Sequence, residues 1–190
     1  MVGSKGPILA AVIPTLNEEE YIGECLNSLI NQSLDSTKYM IMVLDGGSSD
    51  NTTSIANESI DRSKEIGGPK IVILDNPGRH VAEARNIALD SLPTSVTLMV
   101  ELIGHCTVPE NHLEKRLEVW NNLVNESDEN IAALGVKVLP STGQKNMVET
   151  WIESALSSKF GSGSGQFDNF SGISKTKVPA FCMHSRKAVE

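Results

Sequence analysis

The sequence predicts an α/β fold, a three-layer α/β/α sandwich with a mostly parallel central sheet. Two observations carry this. Apolar, strand-like runs alternate with helical apolar patterns along the chain. The first two runs also end alike, each in a polar turn that opens a helix. Ala11-Val12-Ile13 leads into Pro14-Thr15-Leu16-Asn17-Glu18, and Met40-Ile41-Met42-Val43-Leu44 leads into Asp45-Gly46-Gly47-Ser48-Ser49-Asp50-Asn51-Thr52. Such turns line the carboxyl edge of an open α/β sheet, where ligands bind. Helix starts at that edge present free N–H groups to phosphate.

The elements follow in order. Strand one is expected from Ile8 to Ile13. A helix from Glu18 to Asn31 places the pairs Tyr21/Ile22, Cys25/Leu26 and Leu29/Ile30 on one face. Strand two is expected from Met40 to Leu44. Asp50 caps a helix that runs to Ile66, where Gly67-Gly68-Pro69 stops it. Strand three covers Ile71 to Leu74, a helix Val81 to Leu89, and strand four Val96 to Val100. Pro109-Glu110 opens a helix with Leu113, Leu117, Trp120 and Leu123 on one side. Ile131 to Leu139 reads as a further strand. Met147/Val148, Trp151/Ile152 and Ala155/Leu156 form the stripe of another helix. Both tryptophans, Trp120 and Trp151, are expected in the core. Gly161-Ser162-Gly163-Ser164-Gly165 reads as a surface loop or a lid, Val178 to Met183 as a last strand, and Arg186 onward as a helix start.

Composition narrows the class. The 190 residues fit one domain over 1–190, with no internal repeat. No apolar run reaches the ~18 residues of a membrane span. The N-terminus lacks the layout of a signal peptide. A net charge of −8 without a basic block argues against nucleic-acid binding. Cys25, Cys106 and Cys182 form neither a disulfide framework nor a zinc motif, which points to a reducing cytoplasm. An acidic protein that takes an anionic ligand must gather its few arginines, or a metal, at the site.

Several side chains suit such a ligand. The Glu18 carboxylate can accept from a ribose hydroxyl or a base N–H; alternatively, Glu18 and Glu19 favour the positive end of the helix dipole. Gly46 and Gly47 permit positive φ and close backbone approach. Arg79 follows the turn Asn76-Pro77-Gly78, and a guanidinium beyond strand three can pair with a diphosphate. Arg85 lies inside a helix, where it either touches the ligand or anchors the helix to a carboxylate. Glu101 and His105 offer oxygen and imidazole, a pairing that suits Mn²⁺. Otherwise Glu101 ends the strand, His105 is a turn residue and no metal binds.

The two turn motifs, with Asn76-Pro77-Gly78-Arg79, Ala84-Arg85-Asn86-Ile87-Ala88 and Gly104-His105-Cys106 before Pro109, resemble the inverting nucleotide-sugar glycosyltransferases of family 2. That family has the GT-A fold, typical of nucleotide-diphospho-sugar transferases. The Gly-Gly form of the second turn is most similar to the succinoglycan-biosynthesis branch. The resemblance implies transfer of a sugar from a nucleotide-diphosphate donor to a polysaccharide, glycolipid or polyprenyl-linked acceptor. It implies that Pro14, Thr15, Leu16 and Glu18 line the base and ribose while Asn17 braces the turn. Asp45 matches the first of the two aspartates common at the second turn, and Gly46 replaces the second. The resemblance also implies a divalent cation, Mg²⁺ or Mn²⁺, after strand four. Aligned on Gly104-His105, its usual aspartate is Ile103, which leaves His105 with Glu101 nearby. The family's base would lie beyond Glu190, so the chain is expected to be truncated on its acceptor-binding side. A lipid-carried acceptor would place the full-length protein at the inner membrane face. The alternative from another class is a non-catalytic module, or inactive fragment, that binds the nucleotide sugar without transferring it.

Overall fold

The computed structural model describes residues 6–126, 130–137, 146–156, 158, 172–173, 175 and 181–190. Six strands form one sheet in the order β3-β2-β1-β4-β6-β5. They are β1 (Leu9–Thr15), β2 (Tyr39–Asp45), β3 (Lys70–Asp75), β4 (Leu98–Glu101), β5 (Ala133–Leu134) and β6 (Met183–Ser185). The first four run parallel, and β6 pairs antiparallel with both β4 and β5. The helices are α1 (Ile22–Ile30), α2 (Thr52–Glu65), α3 (Val81–Ser91), α4 (His112–Glu126), α5 (Met147–Leu156) and α6 (Arg186–Val189).

Strand alternation sorts the core into two layers, one on each face of the sheet. Leu9, Ala11 and Ile13 of β1 face one side, together with Ile22, Leu26 and Leu29 of α1 and Leu113, Leu117 and Trp120 of α4. Ala10 and Val12 face the other, with Met40, Met42 and Leu44 of β2 and Ala84 and Ala88 of α3. The small alanines let α3 lie close on the sheet. Both layers are apolar, so the central strands read as unbroken hydrophobic runs, as buried parallel strands do.

Pro14 sits inside β1 rather than beyond it. The strand continues to Thr15, paired with Asp45 of β2. Pairing with β4 stops near Val12, whose carbonyl accepts the Leu102 N–H. The missing N–H of Pro14 therefore falls on the side where no partner strand continues, and no ladder bond is lost.

Two expectations need correcting. Trp120 is buried, but Trp151 is 65% exposed, and Met147, Val148 and Ile152 on the same helix are exposed with it. Helical spacing says that one face is apolar; it does not say what covers that face. The strand expected from Ile131 to Leu139 is paired only at Ala133–Leu134 among the described residues. The Gly161 to Gly165 segment and residues 178–180 of the expected last strand lie outside the described residues.

Candidate functional site

The carboxyl edge of the parallel strands carries the expected site. Thr15, Asp45 and Asp75 lie side by side there, each the last residue of its strand. The ladder runs on for one step: the Gly46 N–H donates to the Thr15 carbonyl at 2.8 Å and the Asn76 N–H to the Asp45 carbonyl at 2.7 Å. The turns after β1, β2 and β3 are thus held in fixed relation to one another.

Side chains then stitch the first two turns together. Asn17 adopts a left-handed φ of 55°, which asparagine tolerates better than most residues. Its N–H donates to Ser48 Oγ at 2.9 Å, and its Oδ1 accepts the Ser49 N–H at 2.8 Å. The Glu18 N–H donates to Thr52 Oγ1 at 2.7 Å, and Glu19 accepts the Asn51 N–H at 3.0 Å. Glu19 and Asn17 are therefore spoken for by the turn itself. Asn17 does what the sequence reading asked of it.

Asp45 is buried, and its carboxylate folds back on its own loop. It accepts the N–H groups of Gly47 and Ser48, each at 3.1 Å, and the Ser48 hydroxyl at 2.6 Å. This closes the turn and lets Gly47 reach φ 79°, a conformation that favours glycine. Gly46 lies against Thr15 and Leu16: a Cβ there would meet the Thr15 carbonyl at 3.3 Å. The exposed Leu16 side chain forms an apolar rim beside these polar groups.

Arg79 comes to this same edge. It has φ 63°, and its N–H closes the turn onto the Asn76 carbonyl at 3.0 Å. Its guanidinium lies over Gly47, with Nη2 3.7 Å from where a Cβ would stand. It has no carboxylate partner among the described residues. An exposed arginine beside a glycine turn, with its charge uncommitted, is suited to an anion.

Arg85, unlike Arg79, is already committed to a carboxylate. From α3 it forms a two-pronged ion pair with Glu101 at the end of β4, at 2.5 and 2.7 Å. His184 of β6 approaches the same carboxylate at 3.4 Å. Hydrogen bonding to Glu101 raises the Arg85 pKa further. Burial lowers that of His184, which Glu101 opposes and Arg85 reinforces. A small, mainly apolar cavity adjoins this cluster, lined by Val12, Pro14, Val81, Leu102, Ile103 and Phe181 as well as the pair itself.

His105 points elsewhere. Its Nδ1 is 2.8 Å from Glu18 Oε1, and the Tyr21 ring meets it edge-on with centroids 6.3 Å apart. Gly104 makes this contact feasible, since a Cβ there would sit 3.0 Å from Glu18 Cγ and 3.2 Å from Thr15 Cγ2. The structure thus joins Glu18 to His105 and Arg85 to Glu101, and does not bring Glu101 and His105 together. Among the described residues no group of three or more His, Cys, Asp or Glu is placed to hold a metal ion. With Ile103 between them, Glu101 and His105 do not fit a divalent cation in this arrangement.

Beneath the loop that follows β4, Cys25 of α1 meets Cys106. Hydrogen bonding between the two thiols is the largest influence on each. It lowers the Cys106 pKa to about 7 and, with burial, raises that of Cys25. Arg116 of α4, 3% exposed, has no hydrogen-bond partner at Nε, Nη1 or Nη2 among the described residues. Burial lowers its pKa to about 10. One turn earlier, burial and the Arg116 charge push His112 down to about 4. Sequence reasoning missed this cluster, because its members come from three elements and only Cys106, in Gly104-His105-Cys106, falls in a motif.

The profile of Glycosyl transferase family 2 matches residues 10–125. The succinoglycan biosynthesis protein ExoA of Rhizobium meliloti is 33% identical over 107 residues, which span 56% of this chain and 31% of ExoA. The Staphylococcus aureus TarS structure in complex with UDP superimposes with a TM-score of 0.55 at 22% identity. It covers 73% of this chain and 37% of that one. The mannosyltransferase PcManGT of Pyrobaculum calidifontis, in complex with GDP-Man and Mn²⁺, gives a TM-score of 0.59 at 21% identity, over 71% and 36% of the two chains. The matched segment is therefore about a third of each relative's length, and the fold is that of the GT-A glycosyltransferases.

Proposed function

The chain belongs to glycosyl transferase family 2, and from that premise we propose that it holds the donor of an inverting sugar transfer. The donor is a nucleotide-diphosphate sugar; the acceptor is a polysaccharide, glycolipid or polyprenyl-linked glycan. One observation carries the reading: Pro14 to Glu18, Asp45 to Ser48 and Arg79 converge on one sheet edge, with the Arg79 guanidinium over Gly47 and uncommitted.

The roles follow from the chemistry. Pro14, Thr15 and Leu16 form the wall for base and ribose. The Glu18 carboxylate accepts from ribose, and His105 fixes its position. Asp45 shapes the Gly46-Gly47 turn so that backbone approaches the ligand closely. Arg79 faces the diphosphate. A guanidinium pairs with phosphate oxygens in a forked geometry and stabilises the charge that builds on the leaving diphosphate during transfer. Arg85 and Glu101 neutralise each other and hold α3 to β4, so in this reading neither is the main contact to the diphosphate or to a cation. No step is assigned to a metal.

A second reading is binding without transfer. Ile103 at the position of the usual acidic ligand favours it, since the diphosphate then faces one arginine instead of a cation. Thermal-shift titration of the chain with UDP, GDP, ADP and their sugars tests the shared premise. A saturable upward shift with one base is expected, and no shift with any of them would remove both readings. Product formation with lipid-linked or glycan acceptors separates the two.

A further inference from the structure

Two of the three cysteines meet in space although they are far apart in sequence. Cys25 is on α1 and 1% exposed; Cys106 is on the loop after β4 and only partly buried. Both are oriented by one backbone oxygen. The Cys25 thiol donates to the Ile103 carbonyl at 3.6 Å, and the Cys106 N–H donates to the same oxygen at 3.3 Å. The two thiols are near enough to perturb each other's ionisation. Cys182 is buried on the approach to β6, and its sulfur makes no such contact among the described residues.

We propose that Cys25 and Cys106 are a redox-sensitive pair that closes into a reversible disulfide when the protein meets hydrogen peroxide. The exposed partner reacts first. The Cys106 sulfur attacks one peroxide oxygen; an S–O bond forms, the O–O bond breaks, and the leaving hydroxide departs as water with the thiol proton. This gives a sulfenic acid on Cys106. The Cys25 sulfur then attacks the Cys106 sulfur. An S–S bond forms, the S–O bond breaks, and the hydroxyl leaves as a second water with the Cys25 proton. Two thiols are oxidised and one peroxide is reduced to two waters.

The location gives the bond a consequence. The loop from Leu102 to Cys106 carries Gly104 against Glu18 and Thr15, and His105 against the Glu18 carboxylate. A cross-link to α1 pins that loop at the candidate donor edge. Disulfides in reducing compartments are usually transient and regulatory, which suits a pair so close to a ligand edge. The cross-link itself does not depend on the glycosyltransferase reading.

The test is a thiol count on the whole chain. The reduced protein is exposed to hydrogen peroxide, its free thiols are titrated, and its peptides are mapped after differential alkylation. The count is expected to fall from three to one, with Cys25 and Cys106 joined in one monomer, and to return to three with dithiothreitol. In Cys25→Ser, Cys106 should stop at a sulfenic acid trapped by dimedone, with Cys182 still free. Cys25 remaining reduced while Cys106 oxidises further, or a cross-link through Cys182, would overturn the proposal. So would a bond between two copies.

Discussion

Replacing Arg116 by methionine should stabilise the protein. The residue is 3% exposed, and among the described residues none of its three guanidinium nitrogens has a hydrogen-bond partner. Burial brings its pKa down to about 10 from the ordinary arginine value. At ~1.36 kcal/mol per pKa unit, the folded state spends about 3 kcal/mol holding this charge at neutral pH. Methionine keeps the apolar stem packed on α4 and removes the charge, and substitutions of this kind in buried ion sites have been stabilising by ~1–4 kcal/mol. The unfolding free energy should therefore rise by about 2–3 kcal/mol. For a chain of this size that corresponds to about 4–12 °C in the unfolding midpoint. Urea denaturation followed by far-UV circular dichroism measures it, and the m-value should stay constant if only stability changes. Arg116→Lys keeps a charge at the site and should recover little of the gain. If Arg116→Met lowers stability by ~1 kcal/mol or more, the charge is satisfied in the folded state and the argument fails.

Three further outcomes follow from the same geometry. His112 has a depressed folded pKa of about 4, so the unfolded chain binds the extra proton first as pH falls; stability should drop between about pH 6.5 and 4, by on the order of 3 kcal/mol in all, and a urea series in His112→Gln should show a flatter profile. Gly104→Ala should force the His105 loop away from Glu18 and Thr15, lowering the unfolding free energy by about 1–3 kcal/mol and weakening nucleotide binding in calorimetry, whereas unchanged binding would detach this loop from the site. Arg85→Met removes the cation that disfavours protonation of His184 and leaves Glu101 beside it. The His184 pKa followed by NMR should rise, and a fall would refute the described cluster.

What could be read in the sequence was local. Proline, glycine and serine after two apolar runs mark strand ends because few other residues turn the chain so sharply, and β1 to β4 fall close to the expected bounds. The parallel direction followed from the helices between them. The antiparallel β6, inserted between β4 and β5, was not legible, since strand order depends on packing between distant segments. The site divides in the same way. Pro14 to Glu18, Asp45 to Gly47 and Arg79 lie on consecutive turns and were visible as motifs. The choice between ligand and anchor for Arg85 depended on where Glu101 stood across α3 and β4. Glu101 and His105 looked like neighbours in sequence, yet they point to different partners once the strand ends between them. Trp151 shows the limit of periodicity: the helix forms as expected, and its apolar face is exposed.

The central claim is that an uncommitted Arg79 over the Gly46-Gly47 turn holds the diphosphate of a nucleotide donor. Isothermal titration of the tightest-binding nucleoside diphosphate against the native chain and Arg79→Ala tests it most directly. A charge-assisted hydrogen bond is worth about 1.5–3 kcal/mol, so the dissociation constant should rise by about 10- to 150-fold. The matching nucleoside, which lacks the phosphates, should bind both proteins equally. Equal diphosphate affinity in the two proteins would contradict the account.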